Sequence, residues 1–344
     1  METVQLTEPL KTHWDEYVSS LPPSYFYHDY RWKEVIEKSF GHKTFYLLAI
    51  EDKKIVGTFP LVFIKSIIMK PCLVSLAFLN YGGIAAQNEM VASSLLDKAS
   101  EILKKLGGGY IEMRHWDKSN LPLATREHKV TMLLKLPGSE EDQWAALDKK
   151  VRNQIRKAQK SGLVVHQGKG ELLDSFYRVF CRNMRDLGTP VLGKPFFFNV
   201  LKYFPQESYI FIVSYQGKSV AAGFTLSHHS VTEIPWASSL HSFNELCPNM
   251  LLYWEVIRHA ISRGCQQFDF GRCTKNSGTY DFKKQWNPEV HPLYWQYWAD
   301  QEDNLPSMNL KENGFKLPFL IWKKLPLFIT NPLGPLIARN LPAF

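Results

Sequence analysis

The chain has 344 residues, 45% hydrophobic and 22% charged, which is enough apolar material for one large or two ordinary globular domains. Its net charge of +8 and pI near 9.0 favour an anionic partner, and no run approaches the roughly 18 uninterrupted apolar residues of a membrane span. The mixed, charged opening METVQLTEPLKTHWDEY is neither a signal nor a transit peptide, so a cytoplasmic location is expected. The five scattered cysteines, without a C-x-x-C pair, read as reduced thiols rather than metal ligands.

The first expected element is a helix over Tyr30–Ser39. Thr44–Phe63 then reads as a strand, a polar turn over Glu51–Lys54 and a second strand. The turn LNYGGI (Leu79–Ile84) makes Tyr81, Gly82 and Gly83 candidates for ligand contact, the ring by stacking and the glycines by close backbone approach; a plain turn is the alternative. Leu95–Arg114 is an amphipathic helix closed by glycines and followed by a short strand.

Gln143–Lys160 lacks Gly and Pro and is expected to be one helix. Steps of three and four place Lys149, Arg152, Arg156 and Lys160 on one stripe. Four like charges repel, so an anion met by the stripe explains it better than a solvated face does. Arg152 and Arg156 are therefore candidate phosphate ligands.

Glu171–Asp186 repeats the opening helix, with Leu172, Phe176, Val179, Phe180 and Asn183 spaced for one face. Tyr209–Ser227 repeats the strand–turn–strand pattern. Pro248-Asn249 reads as a helix start with Asn249 as N-cap and a candidate substrate contact. Leu251–Arg272 then repeats the helix, closing glycine, strand and arginine of Leu95–Arg114. Hairpins and helix–strand units thus recur roughly 160 residues apart, which points to tandem duplication of one α/β (α+β) unit with a mixed sheet flanked by helices. The expected domains are 1–145, 146–305 with the basic helix at its start, and a tail over 306–344.

The second copy continues into FDFGRCTKNSGTYDFKKQW, Phe268–Trp286. Strand ends that open into Gly-rich loops commonly carry reactive groups. Asp269 is the candidate proton acceptor, and Arg272 and Lys283 are candidates to stabilise developing negative charge, with Tyr280 and Lys284 as substrate contacts. A strand-end Asp–Arg ion pair is the structural alternative. Beyond residue 300, QEDNLPSMNLKENG reads as a loop, and KLPFLIWKKLPLFITNPLGPLIARNLPAF as an apolar, basic tail whose prolines exclude one long helix. No H-E-x-x-H, G-x-S-x-G or P-loop pattern occurs, and no metal is expected.

Three blocks carry a family resemblance: KVRNQIRKA with KSGL (150–163), FDFGRCT (268–274) and SGTYDFKKQWN (277–287). Together with HDYRW, FGH and NYGG in the first half and WKKLP in the tail, they resemble the FemAB-like branch of the GNAT acyltransferases. More narrowly, they resemble the FemAB-related proteins of exosortase and exopolysaccharide systems. The resemblance implies two tandem GNAT-type domains and transfer of an acyl or aminoacyl group. Gly278, Tyr280, Phe282 and Lys283 match a G-x-Y-x-F-K motif whose lysine lies near the transfer centre, with Trp286 in place of its last Phe. The expected reaction is acyl transfer to an amine of a cell-envelope precursor or exopolysaccharide sugar.

The donor is expected to be an aminoacyl-tRNA or an acyl-CoA, with no other cofactor. The stretch SSLHSFNELCPNM lacks the glycines of a coenzyme A pyrophosphate turn, which speaks against acyl-CoA. The expected partner is an anionic, phosphate-bearing small molecule or glycan precursor, not DNA. The tail is a candidate for contact with the inner face of the cytoplasmic membrane. The alternative is a non-catalytic duplicated fold that binds a polysaccharide intermediate or scaffolds an assembly at the membrane.

Overall fold

Apolar alternation around short polar turns produces the hairpins, and amphipathic segments capped by Asn, Ser or Gly produce the helices between them. The computed structural model describes residues 1–66, 69–301, 305 and 316–342. In chain order the first half holds β1 (Glu2–Gln5), α1 (Lys11–Ser20), α2 (Arg31–Phe40), β2 (Lys43–Glu51), β3 (Lys54–Ile64), β4 (Cys72–Val74), β5 (Ala85–Ala86), α3 (Glu89–Lys105), β6 (Tyr110–His115) and β7 (Ala124–Lys135). Next come α4 (Glu140–Ala146), α5 (Lys149–Lys160), β8 (Leu163–Gly168), α6 (Leu173–Leu187), α7 (Lys194–Tyr203), β9 (Ser208–Tyr215), β10 (Lys218–His228) and β11 (Val231–Ser239). The remainder is α8 (Pro248–Ser262), β12 (Gln267–Asp269), β13 (Cys273–Thr274), α9 (Gly278–Lys284), β14 (Glu289–Ala299), α10 (Lys316–Lys324) and α11 (Leu327–Ala338).

The chain forms two compact units. The first is Met1–Lys129 with most of β14 and the chain end from Leu336. The second is Val130–His291 with the tail helices as far as Pro335. In the first unit the strand order is β1-β2-β3-β4-β6-β14, with β4 and β6 parallel and the other neighbours antiparallel. In the second it is β8-β9-β10-β11-β12-β7, again with one parallel pair, β11 and β12. Parallel neighbours need a crossover, and α3 and α8 supply it in the two units. Strand for strand the two orders match, so the duplication expected from the recurring hairpins is the architecture: a mixed sheet with flanking helices, built twice.

The final strand of each sheet departs from linear order. The strand beside β6 is β14, which follows the second copy, whereas the strand beside β12 is β7, which precedes it. The two compact units meet inside β7 and β14, at 129/130 and 291/292. Nothing local in the sequence marks the exchange, because strand pairing is a long-range choice.

Each sheet packs one face on its crossover helix. In the first unit Val91, Leu95, Leu96, Ala99 and Leu103 of α3 meet Leu47, Phe59 and Leu61 of the hairpin. In the second, Leu252, Val256 and Ile257 of α8 meet Val213, Val220 and Ala221, and Val151 and Ile155 of α5 join the same core. The segment expected as one helix over 143–160 is two, because Leu147 is extended (φ −68°, ψ 143°) between α4 and α5. Ser139 caps α4 by accepting from Asp142 N at 3.1 Å.

The tail forms two helices broken at Pro326, as its prolines require. Apart from Gln301 and Leu305, the loop expected over 301–314 lies outside the described residues. Among the described residues no helix is long and apolar enough to cross a membrane.

Candidate functional site

β11 and β12 stay paired only from Val231↔Gln267 to Glu233↔Asp269. Beyond that point β11 runs on beside β10 to Ser239, while β12 ends. The sheet therefore opens, and Ala237, Ser238 and Ser239 of β11 line a cleft of about 990 Å³. The start of α8 covers one side of it with Cys247, Pro248, Asn249 and Met250. α9 contributes Gly278, Thr279 and Phe282 with Gln285 at its C-cap, α5 contributes Gln154, and α6 contributes Asn183 and Asp186.

The turn into α8 shapes this cleft. Cys247 takes the left-handed conformation (φ 56°, ψ 41°), and its carbonyl accepts from Met250 N at 3.1 Å. Pro248 then occupies the first helical position, where a missing N–H costs nothing. The N-cap is therefore Cys247 and not Asn249. Asn249 sits in the first turn and lines the cleft, where the positive end of the α8 dipole favours anionic or carbonyl oxygen.

Behind the opening lies a buried polar cluster. Asp269 is 1% exposed, and its carboxylate accepts from Thr131 Oγ1 and, at 2.8 Å, from Gly271 N. Glu233, fully buried, stands opposite it in register. Lys283 is 4% exposed and donates to the carbonyls of Gly271 and Arg272 at 2.6 and 3.3 Å. Burial pushes the Lys283 ammonium below its ordinary pKa, while Cys273, Asp269 and Glu233 pull the other way. These groups tie β12, the loop after it and α9 into one piece.

Of the residues singled out from sequence, Asn249 lines the cleft, as do Gly278 and Phe282 of the G-x-Y-x-F-K match. Asp269 and Lys283 come together beneath it as a structural tie, with Arg272 half-buried in the loop that Lys283 holds. The stretch read as a Gly-rich loop up to Trp286 contains the helix α9. Ser277 caps it by accepting from Tyr280 N at 3.2 Å, so Tyr280 faces the core and Lys284 faces solvent.

Arg152 is half-buried and Arg156 exposed on α5, the latter over the Trp144 ring at 5.3 Å. Both lie outside the cleft lining. Tyr81, Gly82 and Gly83 belong to the first unit, where Tyr81 is 2% exposed between Tyr27 and Trp116 at 5.0 and 4.7 Å. Gly82 N donates to Arg114 O at 2.8 Å, so the turn is a packed corner rather than an open ligand loop.

Sequence reasoning passed over Gln154, Asn183, Ser238, Asn244 and Gln285. Asn183 carried a signal: it is the polar member of an otherwise apolar stripe on α6, and its Nδ2 donates to Ser238 Oγ at 3.0 Å. Glu233 carried another, a carboxylate within the apolar run of β11. Among the described residues no group of three or more His, Cys, Asp or Glu is placed to hold a metal ion.

Residues 146–284 match the sequence model of an acetyltransferase (GNAT) domain. Three solved structures share the fold of most of the chain. The crystal structure of FemX aligns with a TM-score of 0.64 at 15% identity, covering 86% of this chain and 97% of that one. A tandem GNAT protein from the clavulanic acid biosynthesis pathway gives 0.58 at 10% identity, over 89% and 99%. L-PGS from Bacillus licheniformis gives 0.53 at 11%, over 90% and 96%. No curated protein matches the sequence. The solved structures share a tandem GNAT-type fold with this chain, and the GNAT domain match falls in its second unit.

Proposed function

We propose that the protein is an acyltransferase that carries an acyl or aminoacyl group from an activated donor to an amine of a cell-envelope precursor or exopolysaccharide sugar. The observation that carries this reading is the 990 Å³ cleft at the parting of β11 and β12, roofed by the start of α8. In such a cleft the donor carbonyl lies against the helix start while the acceptor amine approaches along the open strand. The C–N bond forms as the donor's C–O or C–S bond breaks, and the amine proton passes to a neighbouring base or water. Such a step needs positioning and polarisation of the carbonyl more than a cofactor.

Charge distribution favours aminoacyl-tRNA over acyl-CoA as donor. Among the described residues no lysine or arginine lines the cleft, and the turn before α8 solves its left-handed position with Cys247 instead of glycine. α5, which sends Gln154 into the cleft, carries Lys149, Lys150, Arg156, Lys157 and Lys160 exposed outside it, as a long polyanion bound beyond the cleft requires. The test is incubation of purified protein with labelled aminoacyl-tRNA or acetyl-CoA and an amine-bearing envelope precursor, read by mass spectrometry. Ala237→Trp, which fills the cleft, is expected to abolish transfer. Transfer at the parental rate by that variant contradicts the assignment.

A further inference from the structure

A second cavity, of about 500 Å³, lies in the second unit between α6, the β9–β10 turn and α11. Arg178, Arg182 and Lys218 line it with Ser219, Leu327 and Asn331, and none of the described residues that line it is acidic. Arg182 and Lys218 are exposed at its mouth. The residues that line the cleft at α8 are a separate set.

The helix that forms one wall is unusual for a surface helix. On α11, Thr330, Gly334 and Ala338 recur every fourth residue and are buried. A Cβ on Gly334 would lie 2.9 Å from the Val191 side chain and 3.0 Å from its backbone nitrogen, so the helix is seated tightly on the unit. Its other side is also apolar. Phe328 is 77% exposed, and Leu333 and Leu336 face solvent with it. α10 adds exposed Leu320 and Ile321, and the Arg185 guanidinium holds the turn between the helices by donating to Leu325 O at 3.0 Å. Five of the large hydrophobic residues exposed on the described surface thus fall within these two helices. A helix apolar on all sides is stable only when its outer side is also covered.

Charge indicates what covers it. From Lys316 to the end of the sequence there is no Asp or Glu, whereas Lys323 and Lys324 are exposed on α10 beside the apolar side chains. Cations beside exposed Leu, Ile and Phe, next to a pocket lined by two arginines and a lysine, complement an anionic phospholipid surface. The 12 residues of α11 span roughly 18 Å, too short for a hydrocarbon core of about 30 Å, so the helix lies along the interface. We propose that this corner of the second unit docks on an anionic phospholipid membrane, α10 and α11 entering the interface while Arg178, Arg182 and Lys218 hold a lipid phosphate.

The test is co-sedimentation of the full chain with vesicles of phosphatidylglycerol or of phosphatidylcholine, with and without free glycerol phosphate. Arg182→Glu with Lys218→Glu, and separately Phe328→Ser with Leu333→Ser, alter exposed side chains, and an unchanged melting curve verifies their folding. Binding to phosphatidylglycerol alone is expected, weakened at least about tenfold by either pair and unaffected by glycerol phosphate. Equal binding to both vesicles, or retention of binding by either pair, overturns the proposal. So does displacement by glycerol phosphate, which assigns the pocket to a soluble phosphate ester. Vesicle binding is read without turnover, so its failure leaves the transfer reaction untouched.

Discussion

The Lys283 ammonium donates to the Gly271 carbonyl at 2.6 Å, joining α9 to the loop that follows β12 beneath the candidate cleft. Lys283 thereby holds this loop in place. Lys283→Met keeps the length of the side chain but leaves the carbonyls of Gly271 and Arg272 without this donor, which is expected to cost roughly 1–3 kcal/mol of stability. Urea denaturation measures it. An unchanged midpoint would show that the tie is not holding the loop.

Gly83 gives a second, steric expectation. Its φ of +81° lies in the left-handed region, and a Cβ there would come within 2.6 Å of His115 Nδ1. Gly83→Ala therefore meets both strain and a clash with a buried ring, and is expected to destabilise the protein by more than about 1 kcal/mol. Gly138→Ala, which meets nothing within 4 Å, is the control and is expected to be near neutral. Differential scanning calorimetry separates the two, and equal melting temperatures would contradict the packed-corner description of the NYGG turn.

The first unit also has a built-in acid sensitivity. His28 and His115 are buried, and burial holds their imidazoles down to about 3 and about 4, against an ordinary value of 6.5. The His28 Nδ1 pairs with Thr58 Oγ1 at 3.0 Å. Between pH 6.5 and these lowered values the unfolded chain takes up protons that the folded chain refuses. Stability is therefore complete above about pH 6.5 and falls as the pH drops, at full effect by roughly 5 kcal/mol for His28 and roughly 3 kcal/mol for His115. Urea midpoints across that range measure the slope, and His28→Gln with His115→Gln is expected to flatten it. A parental midpoint that is constant from pH 6.5 to pH 4 would contradict this.

The sequence made the local parts of the fold legible. The β2–β3 and β9–β10 hairpins have a fixed period and polar turns, and α3 and α8 end in glycine-marked turns before their strands, so their recurrence could be read directly. The exchange of β7 and β14 was hidden because pairing partners leave no local trace. α9 was hidden because Ser277-Gly278 resembles loop composition, although Ser277 is the cap that starts the helix. The candidate cleft was the least legible part. Asn183, Ser238, Asn249 and Gln285 come from four separate stretches of the chain, and nothing local shows that they meet. Asp269 and Lys283 stood out for their charge, and both lie in one buried polar cluster.

The most direct measurement of donor binding uses Cys247. It is half-buried and lines the cleft at the start of α8, whereas Cys72, Cys181, Cys265 and Cys273 are buried. Its alkylation by iodoacetamide can be followed by mass spectrometry of the intact protein and its peptides, alone and with saturating acetyl-CoA or aminoacyl-tRNA. The donor that supports transfer is expected to slow modification of Cys247 several-fold and leave the other cysteines unchanged. Transfer from a donor that leaves Cys247 reacting at its free rate would place the donor somewhere other than this cleft.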